Sequence, residues 1–74
     1  MNRHQYTVFF KPQDGGYHVI VPAIPEICTF GVTLEEARAM AADAIQCYLE
    51  SALKHGEPIP QDAEPIRERL AVNL

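Results

Sequence analysis

From Gln5 to Lys11 the chain alternates, with Tyr6, Val8 and Phe10 on one side and Thr7 and Phe9 on the other. A period of two is the signature of a β-strand. The second side is unusually apolar because Phe9 lies on it. Pro12-Gln13-Asp14-Gly15-Gly16 reads as a turn, since glycine takes positive φ without penalty. Tyr17 to Val21 is a second β-rich run, so the two segments predict a hairpin. Pro22 ends that run, and the Pro22-Ala23-Ile24-Pro25 corner predicts extended backbone without ladder donors. A third, shorter strand fits Ile27 to Phe30, closed by Gly31.

The period then changes. Leu34, Ala37, Ala41, Ala44, Ile45, Tyr48 and Ala52 recur at helical spacing. Thr33-Leu34-Glu35-Glu36 opens the helix as a capping box, with the Thr33 hydroxyl on the Glu36 amide and the Glu36 carboxylate reaching back. Glu35 and Glu36 sit at the positive end of the helix dipole, and Lys54 and His55 at the negative end. Glu50 and Lys54 form a favourable i,i+4 pair. Gly56 suits a left-handed cap, and Pro58 and Pro60 forbid continuation. The spacing predicts a helix over residues 34–55. Alternation returns from Glu68 to Leu74, with Leu70, Val72 and Leu74 on one side, and predicts a terminal strand. The predicted architecture is α+β in the order βββαβ, one domain over residues 1–74, with the helix laid on one face of a small antiparallel-rich sheet.

Composition narrows what such a domain can do. At 74 residues a folded chain buries only about 60% of the surface its unfolded form exposes, so its core is small. Two cysteines, Cys28 and Cys47, are too few for a disulfide scaffold and read as reduced, buried apolar groups. The first residues, MNRHQYT, hold no apolar run of a signal peptide, and no stretch approaches membrane-spanning length. The expectation is a cytoplasmic chain stabilised by self-association, as a homodimer or higher homo-oligomer, or by a bound partner. A net charge of −4 disfavours direct nucleic-acid binding and suits encounter with a basic protein surface.

No constellation of catalytic residues emerges. Glu35 and Glu36 are adjacent and point about 100° apart on a helix. Asp14 belongs to turn chemistry, while Asp43 and Glu50 fall on the solvated side of the helix. His4, His18 and His55 are scattered, without the convergent spacing a zinc site needs. The two-glycine turn lacks the lysine and following helix of a phosphate loop. No catalytic residue, metal ligand or cofactor is expected. What is left over is apolar: Phe9 and Ile20 point away from the side a single helix can cover, and exposed apolar surface marks an interface.

In this setting the strand, Asp14-Gly15-Gly16-Tyr17, Val21-Pro22-Ala23-Ile24-Pro25-Glu26-Ile27, Thr29-Phe30-Gly31-Val32-Thr33-Leu34-Glu35-Glu36-Ala37 and Gly56-Glu57-Pro58-Ile59-Pro60 resemble the HicB-like antitoxins of toxin–antitoxin pairs. The resemblance covers almost the whole chain. It departs where other members have Pro-Gly-Cys and this chain has Pro25-Glu26-Ile27. It implies a partial RNase H-like or ferredoxin-like sheet with one helix, and a partner, a HicA-type mRNA-cleaving ribonuclease toxin, neutralised by masking its active site. Family members often carry a C-terminal DNA-binding domain. The residues up to Leu74 show none, nor the acidic metal-binding set of a working nuclease. The candidate partner-binding residues are Phe9 and Ile20 as apolar contacts, with Asp14, Glu26, Asp43 and Glu50 as steering charges. The alternative is a stand-alone oligomeric binding module with a different protein or small-molecule partner.

Overall fold

The computed structural model describes residues 3–63 and 65–74. Three strands and a helix follow one another: β1 (Phe9–Gln13), β2 (Gly16–Ile20), β3 (Thr29–Gly31) and α1 (Leu34–Lys54). The strands form one antiparallel sheet in the order β1-β2-β3, with β2 central. This is the expected α+β class.

The hairpin is tighter than the sequence suggests. Gln13 pairs with Gly16 across a two-residue turn in which Asp14 (φ 53°) and Gly15 (φ 77°) both lie in the left-handed region. Two positive φ values match the right-handed twist of the flanking strands. β1 therefore runs on through Pro12 to Gln13, where a longer turn was expected. It also starts at Phe9 and not at Gln5, because the preceding residues are held elsewhere. The Tyr6 hydroxyl donates to the Pro60 carbonyl at 2.6 Å. The Thr7 amide and hydroxyl donate to the two carboxylate oxygens of Asp62 at 2.8 and 2.9 Å.

The link between β2 and β3 is folded, not extended. Ile24 N–H donates to Val21 C=O at 2.9 Å and Ile27 N–H to Ile24 C=O at 3.1 Å. These are two successive β-turns with Pro22 and Pro25 at their second positions, where a fixed φ near −65° fits. The double turn drops Ile24 into the core, where it and Val21 are each 1% exposed.

Helix α1 lies across β2 and β3 and engages β1 little. Its buried residues are Ala37, Ala41 and Ala52; Ala37 and Ala41 pack with Val19, Val21 and Ile24, bordered by Tyr6, Val8, Phe10, Tyr17, Ile45 and Tyr48. Small residues on the helix allow close approach to the sheet, closest at Gly31. A Cβ there would fall 2.6 Å from Ala37 Cα and 2.9 Å from Ala37 Cβ, and nearer still to the Ala37 amide.

Both helix caps form. Thr33 Oγ1 accepts from the Glu36 amide at 3.0 Å, and Glu36 Oε1 accepts from the Val32 amide at 3.0 Å, one residue further back than a capping box usually reaches. At the other end Gly56 (φ 67°) makes a Schellman turn: Glu57 N–H donates to Ala52 C=O at 2.8 Å and Gly56 N–H to Leu53 C=O at 3.2 Å.

The expected terminal strand is not present. Residues 68–74 adopt no regular structure, and Leu70 and Val72 are each 81% exposed. A strand exists only through a ladder partner, and among the described residues none pairs with this segment. The order among the described residues is βββα. The cysteines also depart from expectation: Cys28 and Cys47 are both exposed and free. Among the described residues, no helix is long and apolar enough to cross a membrane.

Candidate protein-interaction surface

The register decides which side chains leave the core. Phe9 pairs with Ile20, Lys11 with His18, and His18 with Phe30. Side chains on paired residues share a face, so Phe9, Ile20, Lys11, His18 and Phe30 all lie opposite the helix. Phe9 and Ile20, directly across from each other, are each 43% exposed. The His18 and Phe30 rings meet edge to face at 5.1 Å and 62°, an arrangement favourable for aromatic pairs. The Phe30 ring covers Gly16, where a Cβ would be 2.5 Å from the Gly31 carbonyl oxygen and closer to the ring. The outer face therefore carries two apolar residues, an aromatic pair and one cation.

Glycine at position 16 lets Phe30 lie down over the strand, and Pro65 to Glu68 border Phe9 at the end of the strip. A depression runs along this side by Lys11, His18, Ile20, Pro25 and Cys28. No group of three or more His, Cys, Asp or Glu able to hold a metal is found among the described residues. The face offers shape and apolar contact, with His18 and Lys11 as its polar groups.

The acidic candidates do not join it. Asp14 is at the hairpin tip. Asp43 and Glu50 are exposed on α1, where Glu50 accepts from Gln46 Nε2 at 3.4 Å. Glu26 lies in the second β-turn and accepts from the Tyr48 hydroxyl of α1 at 3.1 Å. That hydrogen bond, with the Glu26 and Glu57 charges, raises the Tyr48 phenol above its ordinary value and keeps it a donor. The six sequence-derived residues thus divide between the sheet's outer face and the helix side, with only Asp14 between them. Asp62 is likewise held below the usual carboxylate range, first by the Thr7 amide and then by the Thr7 hydroxyl. It locks the segment after the helix against the segment before β1.

Sequence reasoning missed His18 and Phe30. Strand alternation carries the signal, because His18 is two residues before Ile20 and Phe30 belongs to the next strand. Their pairing needed the register. The Tyr6–Pro60 and Thr7–Asp62 contacts, more than fifty residues apart in the chain, leave no trace in local sequence.

Comparison with known proteins finds relatives in sequence. Residues 6–73 match the model of the HicB-like antitoxin of bacterial toxin–antitoxin systems. The chain is 44% identical over 59 residues to the UPF0150 protein Ta0767 of Thermoplasma acidophilum, covering 78% of this chain and 86% of that one. It is 35% identical over 60 residues to the UPF0150 protein ssr1765 of Synechocystis, covering 80% and 76%. Antitoxin HicB 1 of Photorhabdus laumondii is 44% identical over 57 residues, which are 76% of this chain but 37% of that antitoxin. No solved structure gives a significant match. The match over nearly all of the chain, on a sheet and helix that present an open apolar face, establishes that this protein belongs to the HicB-like antitoxin family.

Proposed function

We propose that this protein is a non-enzymatic antitoxin that binds a HicA-type mRNA-cleaving ribonuclease and neutralises it by masking its active site. The observation that carries the proposal is the family match over residues 6–73. The outer sheet face adds a physical reason. Phe9 and Ile20 form an exposed apolar pair that the protein's own helix does not cover, and such a centre with few charges suits the middle of a protein interface. The acids lie off that centre. Asp14, Glu26, Asp43 and Glu50 contribute to a net charge of −4, which attracts a basic partner from a distance and acts mainly on association rate.

The test is inhibition of RNA cleavage by a purified HicA-type toxin. Stoichiometric masking predicts that cleavage falls linearly to zero near one equivalent and returns when excess toxin is added. Ile20→Asp places a charge at the proposed centre and should weaken inhibition by about two orders of magnitude, as for loss of a hot-spot contact. Full inhibition by Ile20→Asp and by Phe9→Asp would remove this face from the mechanism. Failure of the parent protein to protect RNA at any excess and low salt would reject the antitoxin role for that toxin.

A further inference from the structure

Two proton donors meet on the outer sheet face. Lys11 of β1 is paired directly with His18 of β2, and His18 in turn with Phe30 of β3. Directly opposed side chains start only about 4.5–5.5 Å apart at Cβ, so the Lys11 ammonium and the His18 ring can reach the same point above the sheet. Lys11 is exposed and His18 half-buried. The Phe30 ring meets His18 at 5.1 Å and 62°, which orients the imidazole. A neutral imidazole keeps one N–H and a charged one has two, so His18 has a proton to donate in either state.

Their setting runs against the charge of the chain. The sequence carries ten Asp and Glu against six Lys and Arg, yet the depression that Lys11 and His18 line, of about 410 Å³, has no carboxylate among its described lining residues. Its other titratable group is the Cys28 thiol. The acids are engaged or placed elsewhere: Glu26 at Tyr48, Glu36 at the Val32 amide, Asp62 at Thr7, and Asp43 and Glu50 on α1. Glu68 borders Phe9 and not this depression. Like charges directly opposite each other on a sheet are unfavourable, and an anion held between two such groups reverses the sign.

We infer that Lys11 and His18 select the toxin by holding a carboxylate of it, an Asp or Glu side chain with one oxygen on each donor. The inference rests on the antitoxin reading above. Phe9, Ile20 and Phe30 frame the pair with apolar surface, and excluding water strengthens a charged hydrogen bond. The net charge of −4 draws a basic toxin from a distance, whereas contact is decided by which groups face each other. A toxin with Lys or Arg at this point would bring three basic groups together and be rejected, which is how an interface excludes wrong partners. RNA is the poorer occupant, because an acidic chain repels a polyanion. A free small anion brings nothing apolar to Phe9 and Ile20.

The experiment measures affinity of the full chain for a purified HicA-type toxin by calorimetry. On long-range steering alone, Lys11→Glu makes the chain more acidic and should tighten binding of a basic toxin. A carboxylate at the pair predicts the opposite sign. Lys11→Gln should weaken binding about ten- to a hundredfold, the loss of one charged hydrogen bond, Lys11→Glu should weaken it further, and Lys11→Arg should stay close to the parent. His18→Phe keeps an aromatic ring against Phe30 and loses the N–H, with a weakening like that of Lys11→Gln. Lys11 is exposed, so its variants should melt with the parent; if His18→Phe unfolds, the Lys11 series decides alone. Lys11→Glu binding as tightly as the parent, or more tightly, overturns the inference and leaves the antitoxin reading intact. A parent that does not bind toxin rejects that reading, and the inference falls with it. Lys11→Glu that loses RNA binding or self-association while its toxin affinity is unchanged assigns the pair to phosphate or to a second copy, and overturns the inference too.

Discussion

Gly31→Ala tests how the helix is seated on the sheet. Gly31 ends β3, and its Cα faces the first turn of α1 so closely that a Cβ would lie 2.6 Å from Ala37 Cα and nearer still to the Ala37 amide. That amide donates to the Thr33 carbonyl at 2.9 Å, the first hydrogen bond of the helix. The obstruction is backbone, so no rotamer change relieves it; either β3 or the helix start must move. Overpacking of this kind costs about 1–3 kcal/mol, and with backbone in the way the upper part, about 2–3 kcal/mol, is expected. A domain of this length has roughly 4–11 kcal/mol to lose at 0.05–0.15 kcal/mol per residue. Each kcal/mol lowers melting by about 4–8 °C in this size range, so the variant should melt about 8–24 °C below its parent by far-UV circular dichroism. Adding Ala37→Gly should not restore it, because that change removes only a Cβ and leaves the Ala37 backbone in place. A Gly31→Ala melting point within about 3 °C of the parent would refute this account of the seating, and rescue by Ala37→Gly would assign the clash to side chains.

Thr33→Ala removes the hydroxyl that accepts from Glu36 and should cost about 0.5–2 kcal/mol. Melting falls by several degrees while toxin binding at saturation is unchanged; lost binding with unchanged melting would make Thr33 a contact residue. Asp62 has its folded pKa lowered by Thr7 from 3.8, so its contribution is complete above that value and disappears as pH falls through the lower folded one. The Thr7 amide resonance should therefore titrate with a midpoint under 3.8, and a midpoint at or above it would contradict the bonding. Neutralising Asp14, Glu26, Asp43 and Glu50 together should slow toxin association and flatten its salt dependence more than it speeds dissociation. Surface plasmon resonance at two ionic strengths separates these effects, and a change confined to dissociation would place the acids inside the contact.

The helix was legible because its determinants are local. Thr33, Glu36 and Gly56 act within one turn of themselves, and the apolar spacing from Ala37 to Ala52 repeats at the helical period. The outward side of the hairpin was legible for a related reason: alternation puts Phe9 and Ile20 on the face opposite Phe10 and Val19 whatever the rest of the chain does. Strand limits were not. Gln5 to Val8 carry the same alternation as β1, yet Tyr6 and Thr7 are drawn away by Pro60 and Asp62, a choice made by residues far along the chain. The proline corner misled because proline is equally at home in extended backbone and at the second position of a turn, and only burial of Ile24 selected the turns.

The candidate surface divides in the same way. Each of the six residues could be assigned an apolar or acidic character from the sequence, but their grouping could not. The register set Phe9 and Ile20 beside His18 and Phe30, and the Tyr48 hydroxyl drew Glu26 toward the helix. The cysteines read as buried because of their type, and exposure depended on which elements came to cover them. The sequence by itself determined the helix, its caps, the presence of a hairpin and the two-sided character of the strands, since propensity, capping and periodicity act over a few residues. Only the tertiary structure decided where β1 begins, which charges share a surface, and that Leu70, Val72 and Leu74 are left without a ladder. Those outcomes depend on contacts between distant residues, and a strand-like pattern becomes a strand only when another backbone is there to bond with it.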